Sequence, residues 1–147
     1  MPVELSCKAE YALLALLELA TNYQSGEPLQ IRQIAAQQNI PDRYLEQLLA
    51  TMRRGGLVKS QRGAKGGYIL AREPWKITLL EVLGCLEGLE AAAPEPGTTL
   101  KTVESSVLEG IWQEACQAAN LVLQKYTLQD VCEQQIARRQ IDIMYYI

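Results

Sequence analysis

The side chains best suited to chemistry are basic, and most of them fall in one short part of the chain. Between residues 43 and 76, two acidic residues (Glu46 and Glu73) stand against eight basic ones, a local charge of +6. The eight are Arg43, Arg53, Arg54, Lys59, Arg62, Lys65, Arg72 and Lys76. The whole chain of 147 residues has a formal net charge of −3. Such a local excess is typical of a surface that binds the phosphates of a nucleic acid.

The chain has few residues suited to catalysis or to metal binding. The chain has no histidine, the commonest general base and a common metal ligand. Its four cysteines, Cys7, Cys85, Cys116 and Cys132, are widely spaced, and no C-x-x-C pair or Gly-rich nucleotide loop occurs. The sequence therefore predicts that the protein is not an enzyme. Each cysteine is expected to be a buried core residue, with a redox-active thiol at Cys85 or Cys116 as the alternative.

Charge and hydropathy also bound the class of protein. Residues 1–76 carry ten Lys/Arg and seven Asp/Glu (net +3), whereas residues 77–147 carry four and ten (net −6). This asymmetry favours one half that meets a polyanion, although scattered solvated charge is the alternative. The longest apolar run, residues 11–20, is too short to cross a bilayer and lacks the flanks of a secretory signal. We expect a cytoplasmic protein without a membrane partner, in which the cysteines form no disulfide framework.

A helix, a tight break and a hairpin must position the basic side chains. Pro41 suits the start of a helix, and apolar residues then recur at helical spacing, at Leu45, Leu48, Leu49 and Met52. Arg43, Tyr44, Glu46, Gln47 and Thr51 fall largely on the other face. Gly55 and Gly56 end the helix. Residues 57–60 and 68–70 are predicted strands on either side of RGAKGG, which makes a basic wing at about 57–71.

The preceding segment completes a helix-turn-helix. Residues 5–24 read as a largely buried helix with Ser6 as its N-cap. Residues 29–38 form a short helix, and a turn at 38–41 leads to the basic helix, so the helix-turn-helix spans about 29–55.

The second half predicts a dimerisation element. Thr78 and Glu81 form a capping box for a helix over 78–89, and 90–103 read as a loop. A long helix over about 104–126 carries an apolar stripe that we expect to pair with its symmetry mate; packing on its own domain is the alternative. The stripe comprises Val107, Leu108, Ile111, Trp112, Ala115, Ala119, Val122 and Leu123. Thr127 and Asp130 cap a short C-terminal helix through Cys132, and the tail IDIMYYI is not placed.

The predicted fold is therefore mainly α, a winged helix-turn-helix with a two-stranded wing and a long C-terminal dimerisation helix. A DNA-binding domain would occupy residues 1–77, and the linking helix, loop and dimerisation helix would occupy 78–147.

Three motifs in order resemble one family. YLEQL at 44–48, GGLVKSQRGAKGGY at 55–68 and TLQDV at 127–131, with LSCKAEYALLALLELA before them, resemble the Rrf2 (Rrf-two) family of bacterial winged helix-turn-helix regulators. That family includes iron–sulfur, nitric-oxide-sensing and cysteine-metabolism regulators. The resemblance covers residues 4–132 and implies a sequence-specific DNA-binding transcriptional regulator.

Carried over by position, the family's DNA contacts fall into two groups. Base or wing contacts would come from Arg43, Tyr44, Glu46, Gln47 and Arg62, and phosphate contacts from Arg53, Arg54, Lys59, Lys65, Gly66 and Gly67. Chemically, Gln47 can be bidentate to adenine, Glu46 can accept from cytosine N4, and Arg62 can enter a narrow minor groove. Alternatively, Tyr44 packs against Leu48, and Arg53 and Arg54 are a solvated helix end.

The resemblance implies an iron–sulfur cofactor that this sequence does not support. Cluster-binding members place three cysteines in the loop before the dimer helix, but residues 87–110 here contain none, and Ser106 and Glu109 stand near its end. Because such clusters are held mainly by thiolates, no cofactor or metal is predicted. A cluster would need non-standard ligands, for which Cys7, Cys85, Cys116 and Cys132 are the candidates.

The sequence hypothesis is thus a homodimeric repressor that binds a pseudo-palindromic double-stranded DNA operator. Its rivals are a thiol-based redox protein and a winged-helix scaffold that binds only proteins. The effector, whether redox state, iron, a metabolite or a partner protein, stays open.

Overall fold

The computed structural model describes residues 7–63, 66–87 and 102–145, and it is mainly helical with one two-stranded antiparallel sheet. The elements in order are α1 (Cys7–Thr21), α2 (Ile31–Gln38), α3 (Asp42–Arg54), β1 (Val58–Gln61), β2 (Gly67–Leu70), a 3₁₀ turn (Pro74–Lys76), α4 (Leu79–Glu87), α5 (Val103–Lys125) and α6 (Leu128–Tyr145). This confirms the predicted fold class. Ser6, Lys65 and residues 90–101 of the loop predicted over 90–103 lie outside the described residues.

Helix α1 is the centre of the core. Ala12, Ala15 and Leu16 are completely buried, and α1 contacts α2, α3, α4, α6 and β2. Its alanines let neighbouring backbones approach closely. The hydrophobic cluster also takes in Leu128 and Cys132 of α6. The core therefore runs across residue 77, and the predicted division there stays a prediction about function.

The turn between α2 and α3 depends on one left-handed residue. Asn39 has φ 57°, which Asn tolerates better than most residues, and Ile40 beside it is buried. Pro41 is the N-cap of α3, one residue before the predicted helical position. Helix α2 begins at Ile31 and not at the predicted residue 29, because the backbone of Leu29 is hydrogen-bonded elsewhere.

The backbone of Leu29 is hydrogen-bonded to the wing. β1 and β2 pair from Val58↔Leu70 to Gln61↔Gly67, so β1 lies one residue later than predicted, whereas β2 begins one residue earlier and ends at Leu70 as predicted. The N–H of Leu29 donates to the carbonyl of Tyr68 (3.0 Å), and the N–H of Tyr68 donates back (2.8 Å). Leu29 thus adds a third, one-residue strand position that joins the wing to the start of α2.

Helices α4 and α6 begin side by side. The N–H of Asp130 donates to Thr127 Oγ1 (3.2 Å) and the N–H of Thr127 donates to Asp130 Oδ2 (2.9 Å), which confirms that cap. The N–H of Glu81 donates to Thr78 Oγ1 (3.1 Å), but the Glu81 carboxylate bonds to Arg72, so only half of the predicted capping box at Thr78 forms. Reciprocal backbone bonds join the two starts: Leu79 N–H to the Tyr126 carbonyl (2.9 Å) and Leu128 N–H to the Ile77 carbonyl (3.0 Å).

The last two helices extend from this point. α5 has 23 residues, and none of them is buried. α6 has 18 residues, so the prediction of a short helix ending near Cys132 was wrong. No glycine or proline follows Thr127, and nothing in the sequence stops the helix there. No helix among the described residues is long and apolar enough to span a membrane.

Candidate nucleic-acid interface

Helix α3 is anchored on one face and exposed on the other. Leu45, Leu48, Leu49 and Met52 are at most 2% exposed. Arg43, Glu46 and Gln47 are exposed, and their i, i+3, i+4 spacing puts them on one side of the helix. The structure therefore brings three of the predicted base-reading side chains together on a rigid support.

Tyr44 has a structural partner that the sequence did not reveal. Its half-buried ring meets Tyr11 of α1 edge-on, with centroids 5.6 Å apart and planes at 76°. The alternative interpretation of Tyr44 was packing against Leu48 within α3. The ring contact in the structure is instead with Tyr11 of another helix. This contact fixes the first turn of α3 against α1, and a DNA contact from Tyr44 stays a prediction.

The end of α3 is basic and tied to the wing. Arg53 and Arg54 are exposed in its last turn, where cations are favoured by the helix dipole. Arg53 Nη1 lies 3.5 Å from Ser60 Oγ of β1, and Arg54 Nη2 lies 3.4 Å from Thr51 Oγ1. Both guanidinium groups remain open to solvent, as phosphate-binding groups must.

Glycine is required at the two positions that end α3 for different structural reasons. Gly56 has φ +78°, the left-handed conformation that favours glycine. Gly55 has an ordinary φ of −78°, but a Cβ there would lie 2.1 Å from Cys85 Sγ of α4. The sequence explained both glycines as a helix stop. The close contact at Gly55 depends on α4 and leaves no local signal.

The predicted wing residues divide between exposed and structural positions. Lys59 and Arg62 are exposed. Gly66 donates its N–H to the Gly63 carbonyl (2.9 Å), closing the hairpin. A Cβ on Gly67 would lie 2.4 Å from the Leu29 carbonyl oxygen, so glycine is needed there for the third strand position. These two glycines shape the wing; their predicted phosphate contacts are untested, and Lys65 lies outside the described residues.

Of the seven basic residues between 43 and 76 that the structure describes, two are paired with carboxylates. Arg72 pairs with Glu81, and Lys76 Nζ lies 3.7 Å from Glu73 Oε2. A count along the sequence could not detect the Arg72–Glu81 pair, because Glu81 lies beyond the counted segment. The positive potential available to DNA is therefore concentrated at α3 and the wing.

The cysteines do not form a cluster site. They lie on four different helices: Cys7 on α1, Cys85 on α4, Cys116 on α5 and Cys132 on α6. Among the described residues no group of three His, Cys, Asp or Glu side chains could hold a metal ion. Burial raises the pKa of the Cys85 thiol, partly countered by Arg54, and burial also raises the pKa of Cys132. This donor set does not fit an iron–sulfur cluster, which needs several convergent thiolates. The expected burial is confirmed for Cys132 and wrong for Cys7, which is exposed.

The predicted dimer stripe is open to solvent in the protomer. Val107, Leu108, Ile111 and Trp112 are each between 57% and 66% exposed. Val122 and Ala115 are also exposed, whereas Ala119 is half-buried. The large side chains of the stripe are therefore open to solvent in the protomer, except Leu123, which is half-buried. Val103 and Leu121 of α5 are exposed as well, but Leu121 lies one turn from Gln117, outside the stripe.

Comparisons with known proteins agree with this geometry. Residues 5–134 match the Rrf2 family model, described as iron-dependent transcriptional regulator. The HTH-type transcriptional regulator CymR of Bacillus subtilis is 37% identical over 129 residues, 88% of this chain and 89% of that protein. Its solved structure, titled as that of the global cysteine regulator, superposes with a TM-score of 0.73 at 34% identity, covering 90% of this chain and 98% of that one. The structure of T. potens IscR gives a TM-score of 0.75 at 34% identity, over 92% and 90% of the two chains.

Proposed function

Because this chain belongs to the Rrf2 family of DNA-binding transcriptional regulators, which are not enzymes, we propose that it acts as a homodimeric repressor at a pseudo-palindromic operator. The observation that carries the proposal is the exposed, polar face of α3 beside an exposed basic wing. The buried leucines hold that face in a fixed orientation, as base reading in a major groove requires.

Base reading falls to three side chains on α3. Gln47 pairs with adenine, Glu46 accepts from cytosine N4, and Arg43 donates to guanine or phosphate. Arg62 at the wing enters the adjacent minor groove. Arg53, Arg54, Lys59 and Lys65 contact phosphates, which fixes the register on the duplex without reading its sequence.

The dimer forms through α5. A 23-residue helix without a buried residue, whose apolar side chains face solvent, is stabilised when a second copy covers that stripe. Two-fold symmetry then places the two α3 helices in successive major grooves, about 34–36 Å apart. Repression requires the operator to lie within the promoter, where a bound dimer excludes RNA polymerase.

The signal is proposed to be redox or metabolic and not to depend on a cluster, because the four cysteines are spread over four helices. Burial raises the thiol pKa of Cys85 and Cys132, which lowers their nucleophilic and metal-binding character at neutral pH. A redox signal would therefore act at Cys7 or Cys116.

DNA recognition is tested by replacing Gln47, a predicted base-contacting residue, and Gln37, an exposed glutamine that serves as the control. Gln47→Ala should weaken binding to an operator, selected from genomic fragments, by about 1–3 kcal/mol, while binding to random DNA stays unchanged. Gln37→Ala, an exposed glutamine of α2, should change neither. Fluorescence anisotropy across a salt series measures both, and affinity should fall by orders of magnitude from 50 to 200 mM salt. Affinity that does not respond to salt would favour the protein-binding scaffold.

The dimer is tested on α5. Ile111→Asp puts a charge in the exposed stripe and should yield monomers in light scattering at micromolar protein. Gln117→Asp, also exposed on α5 but outside the stripe, should leave the dimer intact. If both variants stay dimeric, α5 is not the interface. In vitro transcription from an operator-containing promoter tests repression, and stimulation by the protein would contradict it.

A further inference from the structure

A cavity of about 360 Å³ lies between the end of α1 and the wing strand β2. Leu19 and Leu29 form its aliphatic walls, and the half-buried rings of Tyr23 and Tyr68 also line it. Tyr23 is held edge-on by Trp75, with centroids 6.1 Å apart and planes at 90°. The volume is within the range of small-molecule sites, and this ring contact means that part of the wall is already ordered.

The polar edge of the cavity offers acceptors and one negative charge. Glu27 supplies a carboxylate, and Gln24 an amide. The amide nitrogen of Asn22 donates to the Glu18 carbonyl (2.9 Å), which leaves the Asn22 side-chain oxygen as an acceptor. Among the described residues that line the cavity, none is Lys or Arg. No cationic side chain therefore offers an ion pair to an anion, whereas an ammonium group finds the side chains of Glu27, Asn22, Tyr23 and Tyr68.

The cavity touches the elements that bind DNA. Leu29 and Tyr68 line it, and they are also the two residues whose backbones exchange hydrogen bonds between the wing and the chain entering α2. The missing Cβ of Gly67 lets these two backbones meet. A ligand that pushes on Leu29 or Tyr68 therefore acts on the wing and on the helix-turn-helix through the same two bonds.

We propose that this cavity binds a small organic ammonium compound with an apolar body, and that its occupation changes the wing and hence the affinity for DNA. The second half of this inference rests on the proposed function. A coupling of this kind is reciprocal: DNA must change the affinity for the amine by the same factor.

The binding step is tested on the full-length protein without DNA. Isothermal titration calorimetry at pH 7 compares three probes of nearly equal shape: 2-phenylethylamine (cation), 2-phenylethanol (neutral) and phenylacetate (anion). The amine should bind at least tenfold more tightly than the alcohol, and phenylacetate should give no saturable heat. Equal binding of the three probes, or no binding of the amine at millimolar concentration, overturns the proposal.

A charge variant locates the site. Glu27→Gln, at an exposed position, should weaken the amine about fivefold, the size expected for an exposed ion pair, and leave the alcohol unchanged. Glu10→Gln, exposed near the other end of α1, should have no effect. If the two variants behave alike, the amine binds elsewhere.

The coupling step is measured by anisotropy with labelled operator. Saturating 2-phenylethylamine should change the dissociation constant for DNA at least fivefold in the wild type, with the half-effect displaced to higher amine concentration in Glu27→Gln. Amine binding with unchanged DNA affinity overturns the coupling. A protein that binds the amine but no DNA would instead refute the proposed function and leave the calorimetric result standing.

Discussion

Gly55 and Gly56 are adjacent, yet alanine should destabilise the protein at each position for a different reason. At Gly55 the backbone suits any residue, but the new Cβ would lie 2.1 Å from Cys85 Sγ. Overpacking of this kind costs about 1–3 kcal/mol, less about 0.4–1 kcal/mol gained because alanine restricts the unfolded chain. At Gly56 nothing lies within 4 Å, but φ is +78°, which costs a residue with a Cβ about 1–2 kcal/mol.

Cys85→Ala separates the two reasons. Without Sγ, the nearest atom to a Cβ at Gly55 is the Cβ of residue 85, at 3.4 Å, an ordinary contact. Gly55→Ala should therefore lower the free energy of unfolding by about 1–2 kcal/mol in the wild-type background and raise it by about 0.4–1 kcal/mol in the Cys85→Ala background. Gly56→Ala should lower the free energy of unfolding by the same amount in both backgrounds.

The assay is urea unfolding followed by far-UV circular dichroism, at one fixed protomer concentration because an oligomer's stability depends on it. The difference between the two backgrounds gives the coupling energy between positions 55 and 85. A coupling near zero at Gly55, or an equal coupling at Gly56, would refute the packing of Cys85 on the end of α3. The same variants report on function: because α4 holds the end of α3, Gly55→Ala should also lower operator affinity, and Cys85→Ala should restore it.

Three further predictions concern the wing, the thiols and the caps. Arg62→Ala should weaken operator binding by about 1–3 kcal/mol and relax sequence discrimination, whereas Lys65→Ala should weaken operator and random DNA alike; anisotropy that shows equal losses for both variants on both DNAs would contradict this division. Because burial raises the pKa of Cys132, its thiol ionises first in the unfolded chain, so the free energy of unfolding should fall as pH rises above about 8.5. Urea titrations from pH 7 to 10 should show a smaller fall for Cys132→Ala, and identical slopes would refute the assignment. Thr127→Val removes the oxygen that accepts from Asp130 N–H and should lower the free energy of unfolding by about 1 kcal/mol, whereas Thr127→Ser should not; calorimetric melting compares the two.

The sequence predicted those features whose causes are local. The spacing of Leu45, Leu48, Leu49 and Met52 identified the buried face of α3, and therefore also which side chains are exposed beside Gln47. The caps at Thr78 and Thr127 are likewise patterns of four consecutive residues. These predictions succeeded because each depends on helical geometry within one or two turns.

What the sequence missed depends on contacts between distant segments. The pairing of Leu29 with Tyr68, the position of Cys85 over Gly55 and the Arg72–Glu81 pair each join residues that no short window contains. The length of α6 was missed for a different reason. The sequence has no helix-stop signal after Thr127, so the predicted end at Cys132 had no glycine or proline to support it.

The paired helix starts at Thr78 and Thr127 bear on how such a protein can change during evolution. Two reciprocal backbone hydrogen bonds join the chain at residue 78 to the chain at residue 127. Helix α4, which follows residue 78, belongs to the core through Val82 and Leu86, whereas α5, which precedes residue 127, has no buried residue. Because the joining bonds use backbone atoms, the sequence between the end of α4 and residue 126 can change while the DNA-binding part keeps its shape. A member of the family can therefore lack cysteines between α4 and α5 and still keep the same DNA-binding helix α3.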